Sequence, residues 1–176
     1  MDNEPRSSAE DDDMELIKVT LGYCPHEDRV RMDGLGSTAG TIRIWFTARL
    51  LSLLARHLVK YAQQMESPAN SDYEHKPDMS ETDNSDQSAV ILEQESREVL
   101  IYAVDVKTSS GDHLELTYKD SKSRETARLR LTLHNLEKWL GSLKRCFETA
   151  QWPLEPFLES KNSLEVAEPS ERMTIH

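Results

Sequence analysis

Twice along this chain, two stretches of strict polar–apolar alternation run into a stretch with helical spacing. Residues 28–33 place Val30 and Met32 on one side, and residues 41–46 place Ile42, Ile44 and Phe46 on one side. Such alternation is the mark of a half-buried strand. Residues 49–64 then set Leu50, Leu51, Leu54, Leu58 and Tyr61 on one helical face, with no proline or glycine between them. The second occurrence has Leu114, Leu116 and Tyr118 alternating in 112–119, and Ala127, Leu129 and Leu131 in 127–133. It closes on Leu136, Trp139, Leu140, Leu143 and Phe147 at helical spacing in 135–150. A β-rich stretch precedes each pair, at 16–21 and at 99–106.

The two segments superpose at an offset of 85 around the strand-to-helix junction. Arg43 falls on Arg128, Phe46 on Leu131, Thr47 on Thr132, Leu51 on Leu136 and Leu58 on Leu143. At an offset of 84, Asp28 falls on Asp112, Val30 on Leu114 and Met32 on Leu116. The expected fold class is therefore α+β: a duplicated β-β-β-α unit with antiparallel strands and two amphipathic helices. One three-stranded sheet with one helix buries too little to stand alone, so the two units are expected to form one globular domain. Thr47 and Thr132 stand where helix N-caps belong. The run from Trp152 to Leu158, stopped by Pro153 and Pro156, is expected to fold back over the core.

Charge marks what lies between and around the units. Residues 1–15 hold seven acids and one base, 66–96 nine acids and one base, and 159–176 four acids and two bases. These segments lack apolar periodicity, so they read as a disordered acidic N-terminus, a disordered acidic linker and a disordered tail. The first unit, 16–65, holds three acids and seven bases. The second, 97–158 with its Pro-stopped extension, holds nine acids and ten bases. The packable part is thus slightly basic, at +5, although the whole chain carries −11.

The chemistry-bearing patterns are sparse. Cys24 and Cys146 lie in different units, so no disulfide framework is read. Cys24, Pro25, His26 and Glu27 form the one local cluster of metal-ligand types, and a site there would need His57, His113 or His134 from afar. It reads as a polar hairpin loop, and no metal or cofactor is expected. Residues 34–40 form the one glycine-rich loop. It joins strand to strand, as a hairpin turn does, and not strand to helix, as a phosphate cradle does. Asp28 and Asp112 read as turn residues at strand entries. No nucleophile elbow is present, so the chain reads as no enzyme. No stretch approaches the roughly 20 apolar residues of a membrane span.

One surface has character. If the apolar set faces the core, Asp33 faces outward, and so do six further residues: Arg29, Arg31, Arg43, Trp45, Arg128 and Arg130. Arginine beside tryptophan suits stacking and polyanion contact. It equally suits a solvated face held by cross-strand ion pairs, such as Glu115 with Arg128 or Arg130. The functional expectation is a non-catalytic cytoplasmic binding or adaptor protein with a protein partner. The alternative is a nucleic-acid-associated accessory protein using those six residues. The sheet's free edges also leave room for a homodimer.

Overall fold

The alternating residues form strands, and their apolar sides all turn inward. The computed structural model describes residues 14–38, 40–65, 88–92, 96–108, 113–158 and 172–176. The expected disordered segments lie outside these residues over 1–13, 66–87, 93–95 and 159–171. The chain is mixed α+β, with eight strands and two long helices. In order they are β1 (Met14–Cys24), β2 (Arg29–Gly36), β3 (Thr41–Phe46), α1 (Ala48–Met65), β4 (Arg97–Leu100), β5 (Ala103–Thr108), β6 (His113–Lys119), β7 (Glu125–Thr132), α2 (Leu133–Ala150) and β8 (Arg172–Ile175).

The strands form one sheet in the order β4-β3-β2-β1-β7-β6-β5-β8. Neighbours are antiparallel except β1 with β7 and β3 with β4, which are parallel. The sheet curls back on itself. Only Ile101 and Tyr102 separate β4, at one end of that order, from β5, next to the other end. The Ile101 amide donates to the Trp45 carbonyl of β3, while the adjacent Tyr102 amide donates to the Lys119 carbonyl of β6.

Two of the expected boundaries change. The stretch 99–106, read as one strand, is two: β4 beside β3 and β5 beside β6, with a break where the chain crosses from one neighbour to the other. Ile101 is buried at the break and Tyr102 is exposed. The strand expected at 16–21 runs from 14 to 24, so Met14 and Glu15 belong to β1 and not to a disordered N-terminus. Its pairing with β2 shifts between Leu16 and Lys18. This bulge throws Ile17 into solvent and lets both Leu16 and the Val19, Leu21 and Tyr23 series pack on the core.

The glycine-rich loop also contributes structure, because β2 runs on through Gly36. A Cβ on Gly34 would lie 2.9 Å from Leu16 Cδ2, so any other residue there obliges the Leu16 side chain to shift. Gly40, at φ +102°, closes the turn to β3.

Both helices start on threonine caps. Thr47 Oγ1 accepts from the Leu50 amide at 3.3 Å, and Thr132 Oγ1 from the Asn135 amide at 3.2 Å. They bury Leu50, Leu51, Leu54 and Leu58, and Leu136, Trp139, Leu140, Leu143 and Phe147; Tyr61 is only half-buried. The helices touch one another; α2 also lies on β1 and β7, and α1 on β8. One apolar cluster takes in buried residues of both halves. After α2, Gln151 turns left-handed and the chain folds back. Trp152 and Phe157 then meet Phe147 edge-on, each with ring centroids 5.1 Å apart.

The tail holds the largest departure from expectation. Residues 172–175, read as part of a disordered end, form β8 along β5. Ile175, opposite Val104, is buried.

Candidate interaction surfaces

The outward arginines are where the alternation puts them, but each is matched to a carboxylate. On β2 and β3, Arg43 and Asp33 sit directly opposite. Arg43 grips Asp33 with two bonds, Nε at 2.7 Å and Nη2 at 3.1 Å. Arg31 lies 3.8 Å from the same carboxylate. Glu98 of β4 accepts from the Trp45 indole at 3.0 Å and lies 3.8 Å from Arg43, whose guanidinium is 5.7 Å from the centre of the Trp45 ring. Arg29 lies 3.6 Å from Glu27. On β7, Arg128 bonds Glu125 at 2.7 Å, and Arg130 bonds Glu115 at 3.0 Å with Glu15 at 3.4 Å. These carboxylates, Asp33 for Arg43 and Glu115 for Arg130, hold the guanidinium groups still more firmly protonated.

The six residues form two clusters. Arg31 lies beside Gly22 of β1, whereas Arg128 lies beside Glu15. Seven residues along a strand is about 23 Å. Thus Arg29, Arg31, Arg43 and Trp45 come together, and Arg128 and Arg130 sit apart. Asp33, expected to be exposed, is 7% exposed. Its charge is tolerated there because of Arg43. Removing Arg43 leaves a buried carboxylate short of its main partner, so Arg43→Ala is expected to cost about 2–3 kcal/mol of unfolding free energy in urea titration. Arg29→Ala, an exposed pair, is expected to cost under about 1 kcal/mol.

The second surface is a groove. β7 pairs with β1 only over Met14–Leu16. Beyond the bulge the two strands part, and among the described residues no strand pairs with this side of β1 from Ile17 to Cys24. The opening between that edge and α2 is a cavity of about 730 Å³. Val19, Leu21, Leu129, Leu131 and Trp139 supply its apolar surface. Its charged lining is Lys18, Arg130, Lys138 and Arg145, with no carboxylate among the described lining residues. Trp139 is buried, and its indole N–H has no hydrogen-bond partner among the described residues. Ser88 and Ala89 stand at the rim, where Lys18 donates to Ser88 Oγ and the Val90 amide to Thr20 Oγ1. Cys146 also lines the groove, and burial pushes its thiol up, away from reactivity.

β8 fills the space between β5 and α1. Asp105, buried on β5, accepts from Thr174 of β8 at 2.5 Å and pairs with Lys119 at 2.8 Å. A remaining hollow of about 340 Å³ is lined by Leu53, His57 and Lys60 of α1 and by Ile175 of β8, among others. Burial, helped by Lys60, pushes His57 below its ordinary value. The folded chain therefore holds His57 neutral where the unfolded chain takes a proton. Its contribution to stability is full above the ordinary histidine value of about 6.5 and is lost as pH falls through the lower folded value. Urea titrations from pH 7.5 to 5 are expected to show a steeper fall for the parent than for His57→Gln.

The groove beside β1 was not legible from composition or motif, because it arises where β1 and β7 start as neighbours and then part. No helix of the described residues is long and apolar enough to cross a membrane. No family model, no curated protein and no solved structure matches this chain.

Proposed function

We propose that this chain is a non-catalytic binding module of the cytoplasm that engages another protein by accepting a strand along β1. The observation that carries this reading is the edge of β1 beyond Leu16, which faces an open groove of mixed apolar and basic lining without a strand partner among the described residues. Unsatisfied strand edges recruit extended segments through main-chain hydrogen bonds. The nucleic-acid reading is weaker on the same geometry: all five candidate arginines already have a carboxylate within 4 Å. Phosphate would have to displace those partners.

The duplication proposed from sequence supports equating the two grooves. Val30 opposite Phe46, Met32 opposite Ile44 and Gly34 opposite Ile42 correspond to Leu114 opposite Leu131, Leu116 opposite Leu129 and Tyr118 opposite Ala127. These are the same offsets of 84 and 85. The parallel contacts correspond reciprocally, Arg43 beside Glu98 and Arg128 beside Glu15.

The test is capture of partners by the full chain from its native host, with and without nuclease, followed by direct binding of the purified partner. A nuclease-resistant partner lost on Ser142→Trp, which plugs the groove from α2, and retained on Arg31→Gln is the expected result. Recovery of nucleic acid alone, lost on Arg31→Gln, overturns it in favour of the arginine face.

A further inference from the structure

We propose that the β1–α2 groove takes an acidic, extended segment of another protein, laid antiparallel to β1 with alternate apolar side chains turned inward. This rests on the strand-accepting reading above and adds the chemistry and register of the segment.

The register comes from the filled groove. At the offset of 85, Val104, Asp105 and Val106 of β5 correspond to Val19, Thr20 and Leu21 of β1. The α1 residues Leu53, His57 and Lys60 beside β8 correspond to Lys138, Ser142 and Arg145 of α2. β8 runs antiparallel to β5, with Ile175 opposite Val104 and Thr174 opposite Asp105. A strand seated the same way on β1 puts an inward residue opposite Val19 and another opposite Leu21. Both floor residues are aliphatic, so both inward residues are apolar.

Charge sets the rest. Where α1 presents Leu53, α2 presents Lys138, and with Arg145 the helix offers two exposed cations that meet no carboxylate among the described residues. Lys18 also lines the groove, while Arg130 is already held by Glu115 and Glu15. Carboxylates on the incoming strand therefore complete the site, and lysines are repelled from it.

Two of this chain's own segments fit less well, whereas residues 164–168 (LEVAE) carry apolar residues among acids and are the competitor that exchange in the dilute free chain tests. Residues 172–176 (RMTIH) carry no acid and already occupy β5. Residues 66–87 are acidic but lack alternating apolar residues. Residues 88–92 stand at the rim and run on to Glu93 and Glu95, but their described bonds to β1 go to the side chains of Lys18 and Thr20 and form no strand ladder.

The probe is an end-blocked eight-residue peptide of alternating valine and glutamate, titrated into the full chain with amide exchange followed residue by residue. Saturable binding is expected, with exchange at edge amides of residues 17–24 slowed at least tenfold. Lys138→Glu with Arg145→Glu is expected to weaken binding at least tenfold, with the melting temperature confirming that the variant folds. A valine–lysine peptide is expected not to bind. If the lysine peptide binds as well, the acidic preference is overturned while strand acceptance stands. If neither peptide protects β1, the segment chemistry is overturned; strand acceptance survives only if Ser142→Trp still abolishes a nuclease-resistant partner. Protection of these amides in the dilute free chain overturns the proposal by showing that the chain fills its own groove. Protection that grows with protein concentration overturns it in favour of a second copy.

Discussion

Phe46→Ala is expected to lower the unfolding free energy by about 3–5 kcal/mol, and to do so in one transition. Phe46 is fully buried at the end of β3. Its ring meets Tyr118 of β6 edge-on, with centroids 5.6 Å apart. Strands from the two halves thus share this contact, and the surrounding apolar cluster is continuous between them. The loss is a large part of the roughly 5–15 kcal/mol that holds a domain of this size. Urea unfolding followed by circular dichroism and by tryptophan emission should shift together. Separate shifts would show that the halves melt independently. Tyr118→Phe is the control. Its hydroxyl is buried, with Met32 Sδ at 3.9 Å as its weak partner, and burial drives the phenol far above its ordinary value. Removing that hydroxyl is expected to cost under about 1 kcal/mol.

Ile175→Asp is expected to release β8 and to cost about 3 kcal/mol or more. The substitution sets a carboxylate in an apolar seat opposite Val104, with buried Asp105 the next residue along β5. A four-residue strand can leave more easily than that charge can stay. Release deprives Asp105 of Thr174 and exposes the edge of β5. Self-association on size exclusion should therefore rise along with the loss of stability. Ile175→Val, which keeps the seat apolar, is expected to cost about 1 kcal/mol and to leave the protein's size unchanged. A monomeric Ile175→Asp variant with unchanged stability would show that β8 contributes little.

Legibility in the sequence followed the strength of the periodic signal. β2, β3, β6, β7 and both helices each carry enough alternation or helical spacing to be read alone, and Thr47 and Thr132 marked the helix starts. β8 has four residues, and its single buried anchor, Ile175, makes sense only once β5 is in place. The break at Ile101–Tyr102 was hidden because both sides of it are β-rich; what divides β4 from β5 is a change of neighbour. The arginine face was legible residue by residue, but its division into two clusters was not, because alternation fixes a side chain's face and says nothing of distance along a neighbouring strand. Asp33 was misplaced as exposed for the same reason: its burial comes from Arg43 across the strand pair.

The parallel seam between β1 and β7 ties residues 14–16 to residues 127–129. During synthesis β1 leaves the ribosome first, and its partner follows more than a hundred residues later. At about 5–20 residues per second, that is a wait on the order of ten seconds. Over that interval the side of Met14–Leu16 that faces β7 lacks its strand partner, and the seam itself is a slow contact to close. The nascent first half therefore carries an open strand edge until β7 is made, a surface on which another chain can pair.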